Sequence, residues 1–75
     1  MMKRAEMEAH LKSGGRLGFF CDDAFCEAWL AEDGVHLAIL PKDGEEMEFV
    51  GDLDKLYEMQ IDLELSLFPT ADRRQ

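Results

Sequence analysis

The sequence predicts an α+β domain: an antiparallel meander of three to four strands with a helix at each end, in the order αββββα. Three observations lead there. Short apolar runs of strand length are separated by turn signals at Asp22-Asp23, Asp33-Gly34 and Pro41-Lys42-Asp43-Gly44. A helix-forming N-terminal stretch closes on Gly14-Gly15. Asp52 stands as an N-cap ahead of a second stretch with helical spacing.

Residues 2–12 are dominated by Met, Lys, Arg, Ala, Glu and Leu, which favour helix. Ala5, Met7, Ala9 and Leu11 alternate as a strand would, but Met7 and Leu11 also share a helical face. Ala and Glu are poor strand formers, so helix is the better reading. Gly14-Gly15 then sits where a C-cap is expected. Leu17 to Cys21, Phe25 to Ala31, Val35 to Leu40 and Glu46 to Val50 read as four strands, with Met47 and Phe49 on one side of the last. Asp33-Gly34 is a two-residue hairpin signal, because a type I′ turn needs positive φ at both positions.

The last element is read as a helix over 53–67. Asp52 caps it, and Asp54 lies in the first turn, where the helix dipole favours a carboxylate. Leu53, Leu56, Tyr57, Leu63 and Leu67 share one face. Ile61, Leu63, Leu65 and Leu67 also alternate in strand fashion, yet no Gly or Pro interrupts the stretch before Pro69 stops it near Phe68. Residues 70–75 read as a frayed polar tail. Gln60 and Glu64 fall inside the apolar arc of this helix, where burial would be costly unless each were paired.

Turn positions imply registers. With Asp22-Asp23 as a turn, Phe20 faces Phe25 and Phe19 faces Cys26. With Asp33-Gly34 as a turn, Trp29 faces Ala38 and Ala28 faces Ile39. Leu17, Phe19, Cys26, Ala28, Leu30, Leu37 and Ile39 then form a core face. The opposite face carries Phe20, Phe25, Trp29, Ala38 and Leu40, with Glu27 and His36 among them. That face is too aromatic for bare solvent, so either a helix or another chain should cover it.

Seventy-five residues, 47% of them hydrophobic, suffice for a single small core and exclude a disordered tail. The net charge of −9 argues against direct binding of nucleic acid, which such a surface repels, and favours a basic protein partner. The charge is uneven. Residues 1–16 carry four bases and two acids, whereas residues 17–68 carry fourteen acids and only Lys42 and Lys55. No apolar run spans a membrane, and Met1 to Glu6 lacks the apolar core of a signal peptide, so a cytoplasmic location is expected.

Candidate chemistry is sparse. His10, Cys21, Cys26 and His36 invite zinc, but only the two cysteines have ligand-like spacing, and the registers place His36 on the other face. The same registers set Cys21 and Cys26 diagonally, at about 7–8 Å, too far for a disulfide. Ser13 and Ser66 lie in no nucleophile elbow, and Gly14 to Gly18 lacks the Lys-Ser/Thr and the following helix of a phosphate loop. No catalytic residue, cofactor or metal ligand is therefore assigned, and the chain reads as non-enzymatic.

The acids are more informative. Asp54, Glu58 and Asp62 recur at i, i+4 and i+8, a carboxylate stripe on the last helix, and Asp22-Asp23 form a second cluster at a turn. Regularly spaced carboxylates on a rigid body can imitate a phosphate backbone. The expected function is a small acidic inhibitor, or nucleic-acid mimic, that occupies a basic nucleic-acid-binding surface; small phage-encoded antagonists of host defence complexes offer a class analogy. The alternative is a homo-oligomeric accessory subunit that buries the face of Phe20, Phe25, Trp29 and Leu40 against itself. A small metal-binding protein is the third reading.

Overall fold

A computed structural model describes residues 1–70. Helix α1 spans Arg4–Lys12, followed by strands β1 (Arg16–Cys21), β2 (Ala24–Ala31), β3 (Gly34–Pro41) and β4 (Met47–Gly51), helix α2 (Leu53–Asp62) and strand β5 (Phe68–Thr70). All strands pair antiparallel in one sheet of order β4-β3-β2-β1-β5. The α+β class and the helix at each end region of the meander agree with the expectation from sequence. The fifth strand was not expected. No helix among the described residues is long and apolar enough to cross a membrane.

The first hairpin has the expected register, Phe19 opposite Cys26 and Phe20 opposite Phe25. Asp22 turns the corner at φ 55°, the left-handed value found at the first loop position of primed hairpin turns. The second hairpin differs. Its tip is Glu32-Asp33, so Ala28 pairs with Leu37 and Trp29 with His36. Gly34 does take positive φ, 134°, but as the first residue of β3. A Cβ there would lie 2.5 Å from the Gly51 carbonyl oxygen, so this glycine is needed where β4 comes close. The register moves by two residues, and because side chains alternate with period two, every residue keeps its face.

Both helices cover the same face of the sheet. Met7 and Leu11 of α1, Leu56 of α2 and Leu65 pack with Leu17, Phe19, Cys26, Ala28 and Val35 into one buried cluster. Leu37 and Ile39 border that cluster, whereas Leu30, expected in the core, is 44% exposed beyond the helices. The arrangement of one helix on each face is thus excluded, and the opposite face has no helix over it.

The 53–67 helix reading is corrected. Helix α2 stops at Asp62, and Leu63 is exposed. Leu65 N–H donates to the Gln60 carbonyl at 2.9 Å and Glu64 N–H to the Ile61 carbonyl at 3.3 Å, the two reversed bonds of a Schellman ending. Glu64 occupies its left-handed position at φ 51°, where glycine is usual. Helix α1 ends the same way on Gly14 at φ 88°, which is why that end was legible. Past Glu64 the chain buries Leu65 and runs on as β5, with Pro69 in an edge strand that tolerates it. Thr70 therefore belongs to the sheet, while the rest of the expected tail lies outside the described residues.

Gln60 is fully buried and doubly paired. Its side-chain oxygen accepts Met2 N–H at 3.2 Å, and its side-chain nitrogen donates to the Met2 carbonyl at 2.9 Å. The pairing demanded of a buried amide is supplied by backbone 58 positions away. Glu64 meets the same demand differently, by leaving the helix and staying exposed.

Two stability effects are expected. Gln60→Ala strands the Met2 backbone groups and opens a cavity, so it should cost about 2 kcal/mol and lower the melting midpoint by on the order of 10 °C. Amide exchange should show Met2 and Lys3 losing protection first. Glu64→Gly relieves a left-handed L residue and should raise the midpoint by a few degrees, about 0.5–1 kcal/mol in chemical denaturation.

Candidate functional site

A two-layer domain has two broad outer surfaces, the outside of the helices and the uncovered side of the sheet. The α2 carboxylates lie on the first and the aromatic candidates on the second, while Asp22 and Asp23 sit at the β1–β2 turn.

On the uncovered side the registers set side chains in three transverse rows. Thr70, Arg16, Trp29, His36 and Val50 make the first, and Phe68, Gly18, Glu27, Ala38 and Glu48 the second. Phe20, Phe25 and Leu40 make the third. Phe20, Phe25, Trp29 and Leu40 do share this side, as expected, but they fall into two groups. Phe20, Phe25 and Phe68 form a ring cluster with centroids 5.2–6.3 Å apart. Gly18 makes room for it: a Cβ there would stand 3.0 Å from the Phe25 ring and 2.6 Å from the Thr70 methyl. Phe20 is 65% exposed at the centre of this patch.

Trp29 belongs to a polar group instead. The Arg16 guanidinium lies 4.4 Å from its ring centroid, a cation–π contact, and the His36 ring stacks on it at 5.5 Å. Arg16 also donates to one Glu27 oxygen at 2.9 Å, and the Thr70 hydroxyl donates to the other at 2.8 Å. Glu27 is 5% exposed, so these partners stand in for the water its carboxylate lacks. Breaking a buried pair of this kind typically costs roughly 3–5 kcal/mol, because the remaining charge is left without compensation.

His36 lies between two carboxylates, Asp33 at 2.6 Å from Nε2 and Glu48 at 2.8 Å from Nδ1. Both ring nitrogens face acceptors, so the protonated ring is favoured. The hydrogen bond His36 donates to Asp33, then the one it donates to Glu48, raises the His36 pKa above its ordinary value of 6.5. The same bond lowers the Asp33 pKa below 3.8.

The zinc candidates are dispersed. Cys21 and Cys26 are free thiols on the helix-covered side, His36 is on the other, and His10 sets Nε2 2.9 Å from the Arg16 carbonyl oxygen. Burial, and then the neighbouring Cys21 charge, push the Cys26 thiol pKa up, which disfavours the reactive thiolate. Among the described residues, no group of three or more His, Cys, Asp or Glu is placed to hold a metal ion.

The carboxylate stripe lies on the helix layer. Asp54, Glu58 and Asp62 are exposed on α2, on the side away from buried Leu56 and Gln60. Asp54 forms an ion pair with Arg4 of α1. Asp22 and Asp23 are exposed at the β1–β2 turn, beside Lys42 and Asp43 of the β3–β4 turn, and Asp22 also lines a cavity with Leu63 and Glu64 just past the end of α2.

Sequence reasoning missed Arg16, Phe68 and Thr70. Arg16 was hidden in a glycine-rich stretch, and the other two lie in a strand read as helix end and tail. Leu65 and Leu67, alternating ahead of a proline, were the available signal for an edge strand. Comparison of the chain with protein-family models, curated proteins and solved structures finds no match.

The His36 cluster yields a titration test. Its contribution to stability is complete below about pH 6.5 and is lost as pH rises through the raised folded pKa. That of Asp33 is present above its unfolded pKa and is lost as pH falls through the depressed folded one. Ring-proton NMR should place the His36 pKa above that of an unstructured histidine. Asp33→Asn should lower it more than Glu48→Gln does, and an equal effect of the two would contradict this ranking.

Proposed function

We propose that this is a small acidic, non-enzymatic interaction protein whose helix layer occupies a basic surface of a protein partner, one built to bind nucleic acid. The observation that carries the reading is the row of Asp54, Glu58 and Asp62 along the outer side of α2. A helix anchored through Leu56 and Gln60 presents these carboxylates in fixed order, as a nucleic-acid strand presents phosphates. The cost is self-repulsion along the helix, a few tenths of a kcal/mol per like-charged i,i+4 pair. Arg4 offsets part of it at Asp54, whereas Glu58 and Asp62 make no ion pair among the described residues.

The overall charge of −9 supports the choice of partner, since it speeds encounter with a basic surface and opposes nucleic acid itself. The two groups of titratable side chains on the sheet fit a structural role better than a catalytic one, because Arg16 with Glu27, and His36 with Asp33 and Glu48, satisfy each other. Inhibition of a nucleic-acid-dependent machine, as in a phage-type antagonist of host defence, is the biological role this reading implies.

The test is a pull-down from source-cell lysate followed by association kinetics with the captured protein. Binding should weaken steeply with salt, since the Debye length is about 8 Å at physiological ionic strength. Asp54→Lys, Glu58→Lys and Asp62→Lys combined should slow association by about tenfold or more, whereas reversal of Glu6 and Glu8 should do much less. Nucleic acid should compete for the same partner. Salt-independent binding that tolerates the triple reversal would reduce the carboxylates to a solubility coat.

A further inference from the structure

We propose that the uncovered side of the sheet is the surface through which two copies of this chain pair, sheet against sheet about a two-fold axis. This is independent of the acidic-layer reading, since the paired copies would keep both α2 stripes on the outside.

The starting point is what the helices leave open. Phe20 is 65% exposed and Phe68 37%, beside half-buried Phe25 and Leu40, while Val50, 51% exposed, stands apart at the end of the first row. Three of these are rings already packed on one another over Gly18. Contiguous apolar surface of this kind marks association, and aromatic anchors at its centre are what interface cores are built from.

Charge selects the occupant. Two chains of −9 repel across most of their surfaces. On this side, however, the charges are compensated within the chain. The Glu27 oxygens are taken by Arg16 and Thr70, and His36 stands between Asp33 and Glu48. The row of Phe20, Phe25 and Leu40 carries no charge at all. Two copies can therefore meet here with little carboxylate facing carboxylate. A basic partner would gain little from acids that are already engaged, and would be drawn to the helix layer instead.

Size is compatible. The Cα trace measures 33 × 30 × 20 Å, and the short axis fits two layers. The broad side can supply the roughly 800 Å² per partner of a standard interface. A two-fold contact uses the same patch twice, so Phe20 and Phe68 of each copy would fill the other's apolar centre. Sheets packed this way stand about 10 Å apart.

The experiment is sedimentation of the full chain over a range of concentrations at low and high salt. A reversible dimer is expected, its Kd tightening about tenfold from about 50 to 500 mM NaCl as screening weakens the mutual repulsion. Phe20→Glu and, separately, Phe68→Glu should each weaken the dimer at least tenfold, and an unchanged circular-dichroism melt would show that the fold is intact. The triple reversal on α2 should leave the dimer in place, so a failure of the acidic-layer reading shows only in the partner assay. A monomer at about 1 mM chain would overturn the proposal. So would a dimer that survives both glutamate variants, or one that loosens as salt rises. If Phe20→Glu abolishes capture of a lysate protein by a chain that is monomeric throughout, the surface belongs to that protein.

Discussion

The structure depends on the contacts of one buried residue. Gln60 closes two hydrogen bonds on the backbone of Met2, and its own carbonyl accepts Leu65 N–H. The first contact holds the chain ahead of α1 against α2. The second turns the chain back at the end of α2. A buried amide without partners would be strongly unfavourable, so the same residue that threatens the core also specifies how it closes. Its backbone bond sends Leu65 into the core and directs β5 to the free side of β1. Thr70 of that strand then reaches Glu27, and Phe68 completes the ring cluster. Through these bonds one polar residue in α2 is linked to the composition of the opposite side of the sheet.

That linkage accounts for the asymmetry of the molecule. With both helices on one side, the central hydrophobic residues of that side are buried, whereas Leu30, Met47 and Phe49 at its margins stay exposed and the α2 carboxylates face outward. The other side keeps apolar rings and side-chain pairs that satisfy each other. Arg16 shows how closely these are coupled, since its guanidinium serves Glu27 and the Trp29 ring together. Carboxylates that would oppose an apolar contact are either paired within the sheet or displaced to turns and helices.

Much of this was legible in the sequence where the controlling interaction is local. Asp22-Asp23 marked a turn because an aspartate tolerates the positive φ it needs. Gly14 marked a helix end for the same kind of reason. Even the misplaced second turn left each residue on its correct face, because an error of two residues respects the strand period. What was not legible had non-local causes or an unusual residue at a usual position. Glu64 in place of glycine concealed the end of α2. Phe68–Thr70 is too short, and too close to a proline, to register as a strand without knowledge that β1 had a free edge. Gln60 was visible as an anomaly, but its partner stands 58 residues earlier, beyond any periodic pattern.

The candidate surfaces divide in the same way. Spacing along α2 was enough to place Asp54, Glu58 and Asp62 on one stripe, and alternation was enough to place Phe20, Phe25, Trp29 and Leu40 on one side. Neither could show that the two sets lie on opposite layers, because that follows from where both helices pack. This separation changes how the charge and the aromatic residues are to be understood. On the two proposals they do not compete for one site, since binding a basic partner through carboxylates and pairing with a like copy through apolar rings would make opposite demands on salt and solvation. A domain this small could meet both only by keeping them on opposite layers. The buried Glu27 makes that separation possible on the sheet side, because an unpaired carboxylate at its centre would oppose any apolar contact made there.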